Sequence, residues 1–82
     1  MNGMIYIRGN ERNYNNWAQA GNTGWSYQEV LPYFIKSENN LQVNEMDRCF
    51  HGVGGPLRVT QFPHFPRLAE SILEAGEELG YP

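Results

Sequence analysis

The sequence predicts a mainly α chain with one or two short strands, an α+β arrangement that is either one small domain or a fragment of a larger one. Three observations lead there. Capped helix starts precede apolar positions spaced at the helical period. A single short stretch alternates apolar and polar residues. Nine glycines and five prolines in 82 residues divide the chain into loops. A chain this short buries a modest share of its surface and is marginally stable alone.

Met4-Ile5-Tyr6-Ile7 is a short apolar run before Gly9, read as a buried extended segment. A helix follows over 10–20. Asn10 is its N-cap, Tyr14, Trp17 and Ala18 share one face, and Gly21 suits the position after its end. The next helix starts at Ser26, where Glu29 three residues on completes a capping box and Trp25 and Val30 stand at staple positions. Tyr27, Val30, Leu31, Phe34 and Ile35 keep the helical spacing. Pro32 interrupts it, so a kink or broken first turn is expected near Leu31, and an end near Ser37. Residues 41–55 read as a loop ending in His51-Gly52-Val53-Gly54-Gly55. Leu57 and Val59 alternate with Arg58 and Thr60 as in a half-buried strand. Its backbone needs a partner, either Met4–Ile7 or polypeptide outside this chain. Pro66 can occupy the first turn of a last helix, whose stripe is Leu68, Ala69, Ile72, Leu73, Gly76 and Leu79 and whose stop is Gly80.

Composition removes several function classes. The net charge is −3 and the six basic residues are scattered, which argues against nucleic-acid binding. Cys49 is the only cysteine, so no internal disulfide forms. No apolar run reaches membrane-spanning length, and residues 1–4 show neither the basic nor the apolar part of a signal peptide. Cys49 and His51 are too few ligands for a structural zinc site, and they lack a third orienting group for nucleophilic chemistry. His64, between Pro-adjacent aromatics, reads as packing or surface. The Gly52–Gly55 stretch runs into Pro56 instead of a helix, so it reads as a structural loop and not a phosphate cradle. The aromatics Tyr14, Trp17, Trp25, Tyr27, Tyr33 and Phe34 read as packing, with a sugar-stacking surface as the other reading.

Four stretches carry a resemblance in order. They are Asn2–Gly9 with Tyr14–Trp17, Gly21–Phe34, His51–Leu57 and Ala75–Pro82. Together they resemble the glucose–methanol–choline (GMC) oxidoreductase family over nearly the whole chain. The wording Asn-Gly-Met-Ile-Tyr-Ile-Arg-Gly is nearest the choline-dehydrogenase-like and insect glucose-dehydrogenase-like branches, which differ in compartment and leave localisation open. The first half of the family's leading signature, its Gly-x-Gly-x-x-Gly dinucleotide motif and its later substrate region have no counterpart here.

The resemblance implies part of the FAD-binding region of a two-domain GMC fold. Residues 1–9 would be the flavin-contact segment, 10–40 a helical region, 41–65 loop and strand, and 66–80 the last helix. Asn2, Gly3, Met4 and Ile5 would touch FAD. Met1 stands where some members carry a flavin-attaching His, which implies noncovalent FAD. The implied chemistry is oxidation of a CH–OH group of a small alcohol such as choline or glucose, with hydride passing to flavin. No catalytic residue and no metal ligand is assigned to this chain, which alone is expected to be inactive. The competing reading is a non-catalytic helical module binding a protein or carbohydrate partner, motivated by the surplus of aromatics.

Overall fold

The structure is a computed structural model that describes residues 3–42, 44 and 47–82. Helix α1 spans Glu11–Gln19. It begins where expected because Asn10 Oδ1 accepts from the Arg12 N–H at 2.9 Å, while Asn13 Oδ1 accepts from the Asn10 N–H at 3.0 Å. That reciprocal box satisfies donors that a helix start leaves open. Gly21 follows its end at φ 103, a left-handed geometry that glycine adopts without a Cβ penalty.

Helix α2 spans Tyr27–Ser37. Glu29 Oε2 accepts from the Ser26 N–H at 3.2 Å and from its hydroxyl at 2.6 Å, so the capping box forms. Of the kink or broken first turn expected near Leu31, the broken turn does not occur, since the helix runs through Pro32. Pro32 and Gln28 are both exposed, so water can bond the Gln28 carbonyl that loses its helical donor. Asn15 Oδ1 accepts from the Tyr27 N–H at 3.0 Å and ties the start of α2 to α1.

The core between these helices is small and aromatic. Tyr14 and Val30 are its buried hydrophobic residues among those described. The Tyr14 ring meets Trp17 at 5.4 Å and Phe34 at 5.6 Å, both edge to face. Trp17 meets Trp25 at 5.9 Å, also edge to face. Such pairs add about 0.5–1.5 kcal/mol each beyond area burial.

Strand β1 is Glu38–Asn40 and strand β2 is Leu57–Val59, paired in parallel with Glu38 opposite Leu57 and Asn40 opposite Val59. Among the described residues the partner of β2 is therefore not Met4–Ile7. It is the three residues directly after α2, which the Asn pair disguised as a helix stop. Residues 41–56 make the crossover that a parallel pair requires.

Helix α3 spans Arg67–Glu78, with Pro66 at the N-cap instead of inside the first turn. Gly80 at φ 86 ends it. None of its residues is buried, and Leu68, Ile72, Leu73 and Leu79 are exposed. The Met4–Ile7 run is also not buried. Met4 is 75% and Ile7 84% exposed, and residues 4–7 enter no strand. The whole chain shows the same openness. Its accessible surface is 7193 Å2, against roughly 5,000 Å2 for a compact monomer of this mass. Its radius of gyration is 15.8 Å, against about 12 Å for a compact chain of this length. The apolar run and the stripe of α3 have the composition of buried elements, but the described residues leave them largely uncovered.

Candidate functional site

Asn2 and Met1 lie outside the described residues. Gly3 lies in a turn, and Met4 and Ile5 follow it as an exposed irregular stretch at the head of the chain. Met4 has φ 51, in the left-handed region that non-glycine residues rarely occupy. Such a conformation costs on the order of 1 kcal/mol and clusters at ligand sites. A Cβ on Gly3 would meet only the Ile5 side chain among the described residues, at 3.5 Å, an ordinary contact. Nothing described in this chain therefore demands a glycine at this position.

The stretch borders an open, mostly apolar cleft of about 250 Å3, lined by Met4, Ile5, Tyr6, Val59, Phe62 and Phe65 among others. The cleft joins the head of the chain to the end of β2 and the proline-punctuated connector. Sequence reasoning considered Met4–Ile7 as a strand partner of 57–60 but did not bring the connector to it.

The residue that organises the site is Glu38, which the sequence reading passed over. Its side chain is completely buried at the start of β1. Arg8 Nη2 lies 2.6 Å from Glu38 Oε2, and the Gly52 N–H donates to the same oxygen at 3.1 Å. The other oxygen, Oε1, accepts from Asn40 Nδ2 at 3.1 Å and lies 3.1 Å from His51 Nδ1. Burial pushes the carboxyl pKa up, but the bonds from His51, Gly52 and Asn40 and the Arg8 charge outweigh it. The pKa ends below its ordinary value, so Glu38 is ionised. A buried carboxylate persists only when its lone pairs are satisfied, as here.

Arg8 is itself held on several sides. Its Nη1 donates to the Phe50 carbonyl, and its guanidinium lies 5.2 Å from the centre of the Phe34 ring. One residue on, the Gly9 N–H donates to the Tyr14 hydroxyl at 3.1 Å. The exposed stretch Gly3–Ile7 is thus anchored at its downstream end to α1, α2, β1 and the 50–52 loop.

The glycine loop is structural, as its sequence suggested, and the reason is close approach. A Cβ on Gly52 would come within 2.0 Å of the Ile35 carbonyl oxygen, and one on Gly55 within 2.5 Å of the Ser37 carbonyl. The Asn40 N–H donates to Gly52 O at 2.9 Å and the Gly55 N–H to Glu38 O at 3.0 Å, so the loop seals β1 on a second side.

Cys49 and His51 do not make a site. Cys49 is exposed, and the Asp47 carboxylate beside it pushes its thiol pKa up, away from a reactive thiolate. His51 Nδ1 is turned to Glu38. No cluster of three or more metal-ligating side chains occurs among the described residues, nor does any helix there have the length and apolarity to cross a membrane. Trp17 and Trp25 are half exposed and border an open cleft with Asn22, whose side-chain amide donates to the Trp17 carbonyl at 2.9 Å.

These features define a class first: an α+β segment with largely exposed apolar elements, whose leading stretch borders an apolar cleft and is followed by a buried ion pair. The family model for GMC oxidoreductase matches residues 1–82, and the chain belongs to that family. Among its relatives, glucose dehydrogenase (FAD, quinone) of Drosophila pseudoobscura pseudoobscura is 53% identical over 81 residues, which cover 99% of this chain and 13% of that protein. Oxygen-dependent choline dehydrogenase of Escherichia coli is 46% identical over 84 residues, covering 100% of this chain and 15% of that protein. A solved FAD-dependent oxidoreductase from Chaetomium thermophilum superposes with a TM-score of 0.80 at 33% identity, covering 96% of this chain and 15% of that one. The chain thus spans about one-seventh of the length of these relatives. Membership of an enzyme family selects the oxidoreductase reading over the free-standing binding module.

Proposed function

We propose that this chain forms the flavin-contact segment of an FAD-dependent oxidoreductase acting on the CH–OH group of a small alcohol, with Asn2, Gly3, Met4 and Ile5 against noncovalently bound FAD. The observation that carries the reading is the head of the chain. An exposed apolar stretch with one left-handed residue borders an open cleft and is held at its downstream end by the buried Arg8–Glu38 pair.

The residues present fit a flavin. The exposed side chains of Met4 and Ile5 suit an apolar ring system. Gly3 has no described neighbour that requires its lack of a side chain, so a ligand lying on the main chain accounts for it. FAD would supply the hydride acceptor for the alcohol carbon. This chain's part is to hold main chain and apolar side chains along one side of the cofactor and to exclude water there. The group that takes the hydroxyl proton and most of the substrate pocket belong to polypeptide outside residues 1–82. Glucose-like or choline-like alcohols are the substrate classes to test, given what the relatives are named for.

The test is Gly3→Ala in the full-length protein, read as bound flavin per polypeptide by absorbance. The methyl meets only an ordinary contact within the chain, so the fold should be unaffected while flavin content falls. Full flavin occupancy and unchanged alcohol-dependent dye reduction would refute the contact.

A further inference from the structure

We infer that Glu38, acting through Arg8, is a positioning residue for the flavin-facing stretch Gly3–Ile7, an inference that rests on the function proposed above. Residues Met4, Ile5 and Ile7 are at least 74% exposed and Tyr6 40%, so packing against the described residues holds them little. What holds them is the next residue. The Arg8 side chain is 16% exposed and its guanidinium fork reaches Glu38 Oε2, the Phe50 carbonyl and the face of Phe34 together. A planar fork with fixed donor directions sets an orientation that a single ammonium does not.

Glu38 in turn gathers three separate stretches of chain: Arg8 from the head, Asn40 from its own strand, and His51 with Gly52 from the glycine loop. Leaving either charge of a buried pair without its partner is strongly unfavourable, so the clasp is close to all or none. Closed, it fixes the backbone one residue beyond Ile7 and narrows the conformations open to Gly3–Ile7. Open, it leaves the Gly9 and Tyr14 bond as the nearest remaining backbone tether among the described residues. A ligand that needs one conformation of a segment binds more weakly in proportion to the fraction of time the segment spends elsewhere. The clasp therefore sets flavin affinity without touching the cofactor.

The experiment titrates the apoprotein of the full-length protein with FAD and follows quenching of flavin fluorescence, with melting temperature recorded beside it. Glu38→Gln and Arg8→Lys should each weaken FAD binding about tenfold or more, and the double variant should be no weaker than the worse single one. Arg8→Lys keeps the charge and loses the fork, so it should fail to rescue. Val30→Ala, in the α1–α2 core, should lower the melting temperature and leave FAD affinity unchanged. Wild-type affinity in Glu38→Gln and Arg8→Lys, with Gly3→Ala weakened, would overturn the positioning role and leave the flavin contact standing. Wild-type affinity in Gly3→Ala would overturn the contact and this inference with it. Equal weakening by Val30→Ala at equal loss of melting temperature would reduce Glu38 to a general stabiliser. Should Glu38→Gln fail to fold, Arg8→Lys decides between the same results.

Discussion

Gly52 offers the sharpest energetic test of how the site is built. An alanine there would place its methyl 2.0 Å from the Ile35 carbonyl oxygen, a separation that forces the loop away from the end of α2. The movement breaks two bonds at once, the Gly52 N–H to Glu38 Oε2 at 3.1 Å and the Asn40 N–H to Gly52 O at 2.9 Å. A hydrogen bond to a charged group contributes about 1.5–3 kcal/mol and a neutral one about 0.5–1.5 kcal/mol, so the loss should be roughly 2–4 kcal/mol. Native-state hydrogen exchange of the Asn40 amide in the full-length protein reads this directly, as a fall in protection of roughly 30- to 1,000-fold. Gly54, at φ 78 with nothing within contact of an added methyl, is the internal control. Alanine there should cost only about 1–2 kcal/mol of backbone strain. Equal effects at the two glycines would refute close approach as the reason for Gly52.

Two further outcomes follow from the same contacts. Tyr14→Phe removes the hydroxyl that accepts from the Gly9 N–H and should lower stability by about 0.5–1.5 kcal/mol, with the Gly9 amide exchanging faster; unchanged exchange would contradict the bond. The folded pKa of Glu38 lies below its unfolded one, so its stabilisation is complete above the ordinary carboxylate range and is lost as pH falls through the folded value. The melting temperatures of wild type and Glu38→Gln should therefore converge as the pH is lowered below that range, and a gap that stays constant would contradict an ionised Glu38.

The helices were legible because their signals are local. Asn10 as a cap, Ser26 with Glu29, and the glycines at 21 and 80 act over one to three residues, so the sequence carries them on its surface, whereas the Asn13 half of the first box was seen only in the structure. The glycine loop was legible as structural for a similar reason, since Pro56 after it rules out a helix start. Glu38 was not legible, because its partners Arg8 and His51 lie 30 and 13 residues away and a single acid before two asparagines looks like a helix exit. The same asparagines concealed β1, whose parallel pairing is decided by the crossover and not by strand propensity. Met4–Ile7 was misread as buried because apolar composition records what a segment needs, whereas burial depends on what covers it. The cleft beside that run is built by residues more than fifty positions apart, which no local pattern could join.

Amide hydrogen exchange across residues 3–8 of the full-length protein, with and without FAD, tests the central claim most directly. If the head of the chain lies along the cofactor, the Met4 and Ile5 amides should exchange markedly more slowly once FAD is bound. Flavin binding at saturation with unchanged exchange at both positions would place the cofactor elsewhere and contradict the account.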